Sequence, residues 1–333
     1  MNPQHDLRAG QRVGGRYLVD RPIGRWQIGT AYAAREGRQE TPRTLLVMEL
    51  QRGALSQYLR WVRTEADQSR LLPERLWVPL DGGHVFGDRA WMALPALGGR
   101  TLAQIVASEG SLDEERAVRI VERLARLVGK AHAEGVGLGC LRPANVFLDA
   151  DSPGSPGGPD PAVFDVGLAR GLSRLLARPP RAQSRYTPPD ARPDMPVAAD
   201  DIYALGALLY FLLTAQKPPA SDLEGRRLMT PPSWKRRDSQ LTAFVDPVVL
   251  EAMAPLARDR FDFAEAFADA LVSLVEVFRL SPDARAVLGI PAGLGAERPA
   301  RQTHPHYLHD LLGLPPEPTV EIPIIDDPLD GDD

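Results

Sequence analysis

Lysine is almost missing from this chain: among 39 Lys and Arg residues only Lys130, Lys217 and Lys235 are lysines, and none precedes position 130. That excludes any chemistry needing a lysine ammonium in the first third of the sequence. Cysteine is scarcer still, with Cys140 alone in 333 residues, so an intramolecular disulfide framework is excluded and a reducing cytoplasm is the expected location. Long apolar runs are also lacking. The longest, Ile202 to Ala215, has fourteen residues where a membrane-crossing helix needs roughly 20, and it reads as a buried helix. There is no surplus of positive charge: the formal net charge is −5, which provides no general field for nucleic acid or an anionic membrane. Neither is expected as a partner. The first fifteen residues hold no apolar core of the kind that marks an exported precursor.

What is present is ordinary globular composition, 44% hydrophobic and 25% charged, with enough length for one large core or two smaller ones. Residues 1–15 are polar with scattered glycines and read as a flexible leader. Between 16 and 97, apolar runs at Tyr17 to Val19, Thr30 to Ala34, Leu45 to Leu50, Trp77 to Leu80 and Ala90 to Leu94 are separated by Gly, Pro and charges, the pattern of antiparallel strands. One helix fits Ser56 to Leu72, stopped by Pro73.

From 98 to 279 the pattern turns helical. Ser111-Leu112-Asp113-Glu114 has the form of a capping box, with Ser111 as the expected cap. Val118, Val121, Leu124, Ala125 and Val128 then fall on one face of a long helix. Further helices fit Ala199 to Thr214, Pro247 to Met253 and Phe263 to Phe278, and the Pro/Gly/Ser-rich stretch 151–161 reads as a long hairpin loop. Residues 280–333 are proline-rich with an acidic end, which predicts a largely disordered tail. The expected class is α+β: a small antiparallel sheet lobe with one helix, then a larger, mainly helical lobe.

Several short motifs occur in a fixed order along this frame. Leu138-Gly139-Cys140-Leu141-Arg142-Pro143-Ala144-Asn145 resembles the protein kinase catalytic loop H-R-D-L-x-x-x-N, and Asp165-Val166-Gly167 resembles D-F-G. Tyr186-Thr187-Pro188-Pro189-Asp190 resembles the A-P-E segment, Asp201-Ile202-Tyr203 the start of the central helix, and Arg258-Asp259-Arg260 the late arginine that pairs with the A-P-E carboxylate. The ordered set, spanning roughly 16–275, is similar to bacterial eukaryotic-like serine/threonine protein kinases. The resemblance implies a two-lobed kinase fold with a Mg-ATP cleft between the lobes.

At the positions that carry the chemistry, the sequence departs from that family. Phosphoryl transfer depends on positioned charge more than on covalent help from the protein. Aligned on V-A-I-K, residues 45–48 read Leu-Leu-Val-Met, so Met48 stands at the phosphate-gripping lysine and Glu65, the helix glutamate, has lost its expected partner. Arg25 and Arg43 are the nearby cations, neither at the expected strand position. Cys140 replaces the aspartate that accepts the substrate proton; a neutral thiol is a poor substitute for a carboxylate. Gly139 removes the neighbouring motif arginine. In the glycine-rich turn Gly24 and Gly29 remain, but Trp26 replaces the middle glycine, and its indole either crosses the phosphate path or folds onto the strand. Leu94 completes the implied nucleotide-lining set. Asn145 and Asp165 are the two implied magnesium ligands, each with an equally available structural role.

These departures imply an inactive kinase-like domain, a pseudokinase that needs no cofactor and works as a signalling scaffold or allosteric partner. Two alternatives stay open at this level: an atypical, weakly active serine/threonine kinase, and a switch that binds Mg-ATP weakly without hydrolysing it. The implied partner is a protein, either a genuine kinase or, through the T-x-x-I form of Thr319 to Ile322, a phosphothreonine-binding domain. The basic run Arg170 to Arg185 reads as a solvated loop, and the H-x-H-x-x-H cluster of His304, His306 and His309 as a polar part of the tail.

Overall fold

The computed structural model describes residues 7–26, 28–96, 98–148, 160–164, 167, 170–179, 185–192, 195–219, 231–235 and 240–279. The chain divides into two units, Met1–Gly295 and Ala296–Asp333; the second unit, and with it the expected tail 280–333, lies outside the described residues. The first half runs β1 (Arg12–Val13), β2 (Tyr17–Trp26), β3 (Gly29–Glu36), β4 (Thr41–Glu49), α1 (Leu55–Gln68), β5 (Leu76–Trp77), β6 (Asp81–Phe86) and β7 (Arg89–Pro95). The second half runs β8 (Arg100–Thr101), α2 (Leu102–Glu109), α3 (Glu114–Ala133), β9 (Val146–Leu148), β10 (Pro161–Phe164), α4 (Ala198–Thr214), α5 (Pro232–Lys235), α6 (Gln240–Ala252) and α7 (Ala264–Arg279).

The small lobe is an antiparallel sheet in the order β1-β2-β3-β4-β7-β6. Its central strand β4 is buried without interruption from Thr44 to Met48, because successive side chains point to opposite faces and both faces are covered. Leu45 and Val47 join Tyr17, Tyr32 and Trp91 on one side. Leu46 and Met48 join Tyr58 and Val62 of α1, with Met92 and Leu94, on the other. The large lobe is built on α4, whose residues Ile202 to Tyr210 are all buried; a helix apolar all round must be a core helix, and α3, α6 and α7 pack around it.

Several sequence expectations need correction. Residues 7–15 are anchored and not a loose leader: β1 pairs with β2, Leu7 and Val13 are buried while their neighbours are exposed, and the Leu7 amide donates to the Tyr32 hydroxyl at 3.3 Å. The apolar run at Trp77 does not close the small sheet; β5 pairs in parallel with β10 in a second, four-stranded sheet of the large lobe. Helix α1 ends at Gln68 rather than at Leu72. The cap of α3 is Asp113, whose carboxylate accepts from the Arg116 amide at 3.0 Å. Ser111 lies outside that role, and the next residue, buried Leu112, donates its amide to the Leu212 carbonyl at 2.9 Å, which fixes the chain just before the cap. Strand β6 escaped notice because two of its residues are glycines, and α2 because its eight residues are too few to show a period.

The fully buried carboxylate of Asp201, on α4, ties the two halves of the large lobe together. It accepts from the amides of Leu138 (2.7 Å) and Gly139 (2.8 Å) and faces His132 Nε2 at 2.9 Å. Removing one side of a buried, hydrogen-bonded charge network costs about 3–5 kcal/mol. Asp201→Ala should lose about that much in urea unfolding, and Asp201→Asn, which keeps one acceptor, clearly less; equal losses would mean that the oxygens do not hold the loop. A pH effect is expected at Asp246 on α6, which accepts from the Ser233 amide at 3.0 Å and from the Ser233 hydroxyl. Burial pushes its carboxyl from an ordinary 3.8 up to about 7, against the opposing pull of those hydrogen bonds. Between about pH 4 and 7 the folded state therefore binds more protons than the unfolded chain, and stability falls as pH rises. Asp246→Asn should flatten that decline in unfolding free energies compared at pH 5 and pH 7.5.

Candidate functional site

The loop from Leu138 to Asn145 lies between α3 and β9, held at its start by Asp201. Cys140 is 8% exposed, so the thiol at the base position is largely shielded from solvent. Its carbonyl accepts from Asn145 Nδ2 at 2.9 Å, and Asn145 Oδ1 accepts from Arg142 Nε at 3.2 Å. Both polar ends of this buried amide thus brace the loop. Asp165, the other expected magnesium ligand, lies outside the described residues.

Above this loop, the face of β4 that would look into a nucleotide cleft is apolar. Met48 is 1% exposed, and Leu46, two residues earlier, is fully buried, as is Leu94 of β7. Ile28 adds a further buried aliphatic side chain from the turn between β2 and β3, with Gly24 near the end of β2 and Gly29 at the start of β3. Gly29 has a steric reason independent of any ligand: a Cβ there would meet the Val47 carbonyl oxygen at 2.0 Å. Nothing lies within 4 Å of a Cβ at Gly24.

Trp26 packs across the cleft. Its ring meets Phe164, the last residue of β10, edge to face at a centroid distance of 4.8 Å. Phe147 follows at 6.5 Å from Phe164, and Trp77 at 5.4 Å from Phe147. Such pairs add to the benefit of burying their area. A run of four rings thereby links the glycine turn of the small lobe to the sheet of the large one, and Phe164 shares one buried cluster with Ile28, Leu46, Met48 and Leu94.

Glu65 is not without a partner, as the sequence suggested. Arg170, five residues beyond Asp165, reaches it with Nη2–Oε2 at 2.6 Å and Nε at 3.2–3.3 Å from the two oxygens. The pair is largely buried, with side-chain exposures of 13% and 5%. Arg170 is therefore no part of a solvated loop. Arg43, one of the two cations considered for the phosphate end, instead pairs with Glu36 at 2.6 Å. The other, Arg25, lines a cavity of about 430 Å³ beneath the β2–β3 turn, together with Met48, Glu49, Asp88, Arg89 and Arg178. The late arginine is Arg260, with a fully buried side chain 2.5 Å from Asp190.

Sequence reasoning missed Leu46, Ile28, Phe164 and Arg170. The first was readable, since the family pattern has a small residue where Leu46 stands. Arg170 had no signal, because its partner is 105 positions away.

No family model matches this chain. Among curated proteins it is similar to the serine/threonine-protein kinase pkn3 of Myxococcus xanthus, 26% identical over 286 residues, covering 80% of this chain and 51% of the relative. It is 30% identical over 282 residues to PknJ of Mycobacterium tuberculosis (80% and 46% covered) and 24% identical over 265 residues to PrkC of Bacillus subtilis (77% and 40%). The chain spans about half the length of the curated relatives it matches. Among solved structures, the PknI kinase domain of Mycobacterium tuberculosis superposes with a TM-score of 0.60 at 22% identity, covering 81% of this chain and all of that domain. No helix among the described residues is long and apolar enough to cross a membrane. With an antiparallel sheet lobe, a helical lobe and a catalytic-loop segment between α3 and β9, the chain has a two-lobed, α+β protein kinase-like fold.

Proposed function

We propose that this domain works by binding and not by phosphoryl transfer, as a pseudokinase whose nucleotide cleft is filled by its own side chains. One observation carries the reading: Trp26 and Phe164 close against each other over the buried face of Leu46 and Met48, where the phosphates and their lysine would need polar space. Asn145 supports it, since both polar ends of its amide are engaged inside the loop. The residues present do not fit a Mg-nucleotide. The remaining role is that of a scaffold or allosteric partner for another protein, a genuine kinase or a phosphothreonine-binding domain being the two classes the sequence suggests. The domain is proposed to act in the cytoplasm.

A second reading keeps one specific support. The cavity beneath the β2–β3 turn, with Arg25, Arg89 and Arg178 on its wall, has a volume within the range of small-molecule sites, so a switch that holds a phosphate group there without hydrolysis is the rival to test. Glu49 and Asp88 on the same wall reduce its net charge.

Calorimetric titration with Mg-ATP should give no binding heat, and radiolabelled ATP no phosphate incorporation into the protein or a generic substrate. Saturable heat without incorporation would favour the switch. Stoichiometric incorporation abolished by Asp165→Ala would overturn the pseudokinase reading. Trp26→Gly combined with Leu46→Ala should open the cleft and yield measurable Mg-ATP heat, with Leu46→Ala costing about 2–5 kcal/mol of stability.

Cys140→Asp alone should leave phosphate incorporation at background, because base and lysine act on one transition state and their effects are non-additive. Robust turnover from that single change would refute this account of Met48.

A further inference from the structure

Glu65 presents a carboxylate that is 5% exposed on a helix face lying against the apolar cluster around Met48. A charge so placed must find a counter-charge or be strongly destabilising. Position 48 supplies none. Arg170 supplies it through the fork geometry that only a guanidinium offers, and its Nη1 also reaches the Gly137 carbonyl at 3.4 Å. One side chain thus joins α1, the segment after the D-V-G turn and the approach to the catalytic loop.

The same stretch is seated on the small lobe in other ways. Trp61 of α1 donates its indole N–H to the Arg170 carbonyl at 3.1 Å. Gly167, at a φ of +65°, lies so close to Trp61 that a Cβ would meet its ring at 2.5 Å. Beyond the one-turn 3-10 helix Leu172–Arg174, Leu176 bridges to Leu50 just past β4. There the Gln51 amide donates to the Leu175 carbonyl at 2.8 Å and the Ala177 amide to the Glu49 carbonyl at 3.0 Å. Leu172, Leu175 and Leu176 are all buried in the cluster that contains Met48.

We propose that residues 170–177 are a built-in ligand of the small lobe. Arg170 gives Glu65 the cation that position 48 does not carry, and the three leucines cover the apolar floor that Met48 creates. Helix α1 is then positioned by this segment and needs no nucleotide to hold it. Because β4 offers no competing ammonium, the arrangement has one position where a lysine-bearing chain would have two. This deepens the reading above by naming what keeps the cleft closed, and it rests on that reading only for the cleft's being closed.

The test is amide hydrogen exchange of the full chain with no nucleotide added. Arg170→Met should speed exchange in 55–68 and 170–177 by about tenfold or more. Arg170→Lys, which keeps the charge but loses the fork, should fall between Arg170→Met and the parent. Adding Glu65→Gln to Arg170→Met should slow exchange again, since the unpaired buried carboxylate is gone. Adding Met48→Lys to Arg170→Met should restore protection to 55–68 but not to 170–177, because the lysine reclaims Glu65 for β4. Exchange within twofold of the parent in Arg170→Met would overturn the proposal, as would Met48→Lys protecting both segments alike. If Arg170→Met does not fold, the charge exchange Glu65→Arg with Arg170→Glu decides: parent-like protection supports the pairing, and its loss defeats it. Uptake of Mg-ATP by the parent chain would defeat the closed-cleft reading and favour the switch, and leave this measurement standing.

Discussion

The face of β4 carrying Leu46 and Met48 is apolar to its end, and the arrangement around the cleft follows from the need to keep that face dry. Each aliphatic side chain buried there gains roughly 1.5–3 kcal/mol over leaving it in water. A cleft that takes up a nucleotide must instead stay open and keep polar groups on its walls. Here Trp26 meets Phe164 edge to face, and Leu172, Leu175 and Leu176 share one buried cluster with Leu46 and Met48. Once water is excluded, Glu65 can no longer be left to solvation, and the ion pair with Arg170 becomes a requirement of the same constraint.

In the large lobe, polar groups are buried at a few points and most are paired, His132 Nδ1 being the buried side-chain atom among the described residues that has no partner. Asp201 gathers two loop amides and His132, and Arg260 holds Asp190 while donating to the carbonyls of Ala199, Ala254 and Pro255. Such networks rigidify the structure most where their members are paired. They set the loop of Cys140 and Asn145 in the position of a catalytic loop, although neither side chain offers a carboxylate there. The kinase-like frame is thus present, while the residues at several motif positions differ from the kinase pattern. A likeness of fold to kinase domains is compatible with a different activity, because activity resides in the site and not in the frame.

Much was legible in the sequence because it is local. The alternation of Leu45 to Met48, the fourteen-residue run of α4 and the spacing of motifs from Leu138 to Arg260 follow from patterns of period 2 or 3.6 and from fixed distances along the chain. The lack of lysine before residue 130 and the presence of Cys140 at the base position are matters of composition, which no packing can change. The pairing of Arg260 with Asp190 was foreseeable from their motifs. The edges were less legible: β6 is disguised by its glycines, and the cap of α3 depends on what Leu112 touches.

Tertiary structure alone decided what lies against Trp26 and Glu65. Trp26 could have folded back along its strand, and only its approach to Phe164, brought there by the β9–β10 hairpin, sets it across the opening. Nothing near Glu65 in the sequence points to Arg170, and nothing near Leu50 points to Leu176, since each contact spans more than a hundred residues. The sequence by itself determined which charges are missing from the site, because identity at a position needs no partner. What fills the space left behind depends on which distant side chains the folded backbone brings within reach, and that is a property of the closed chain alone.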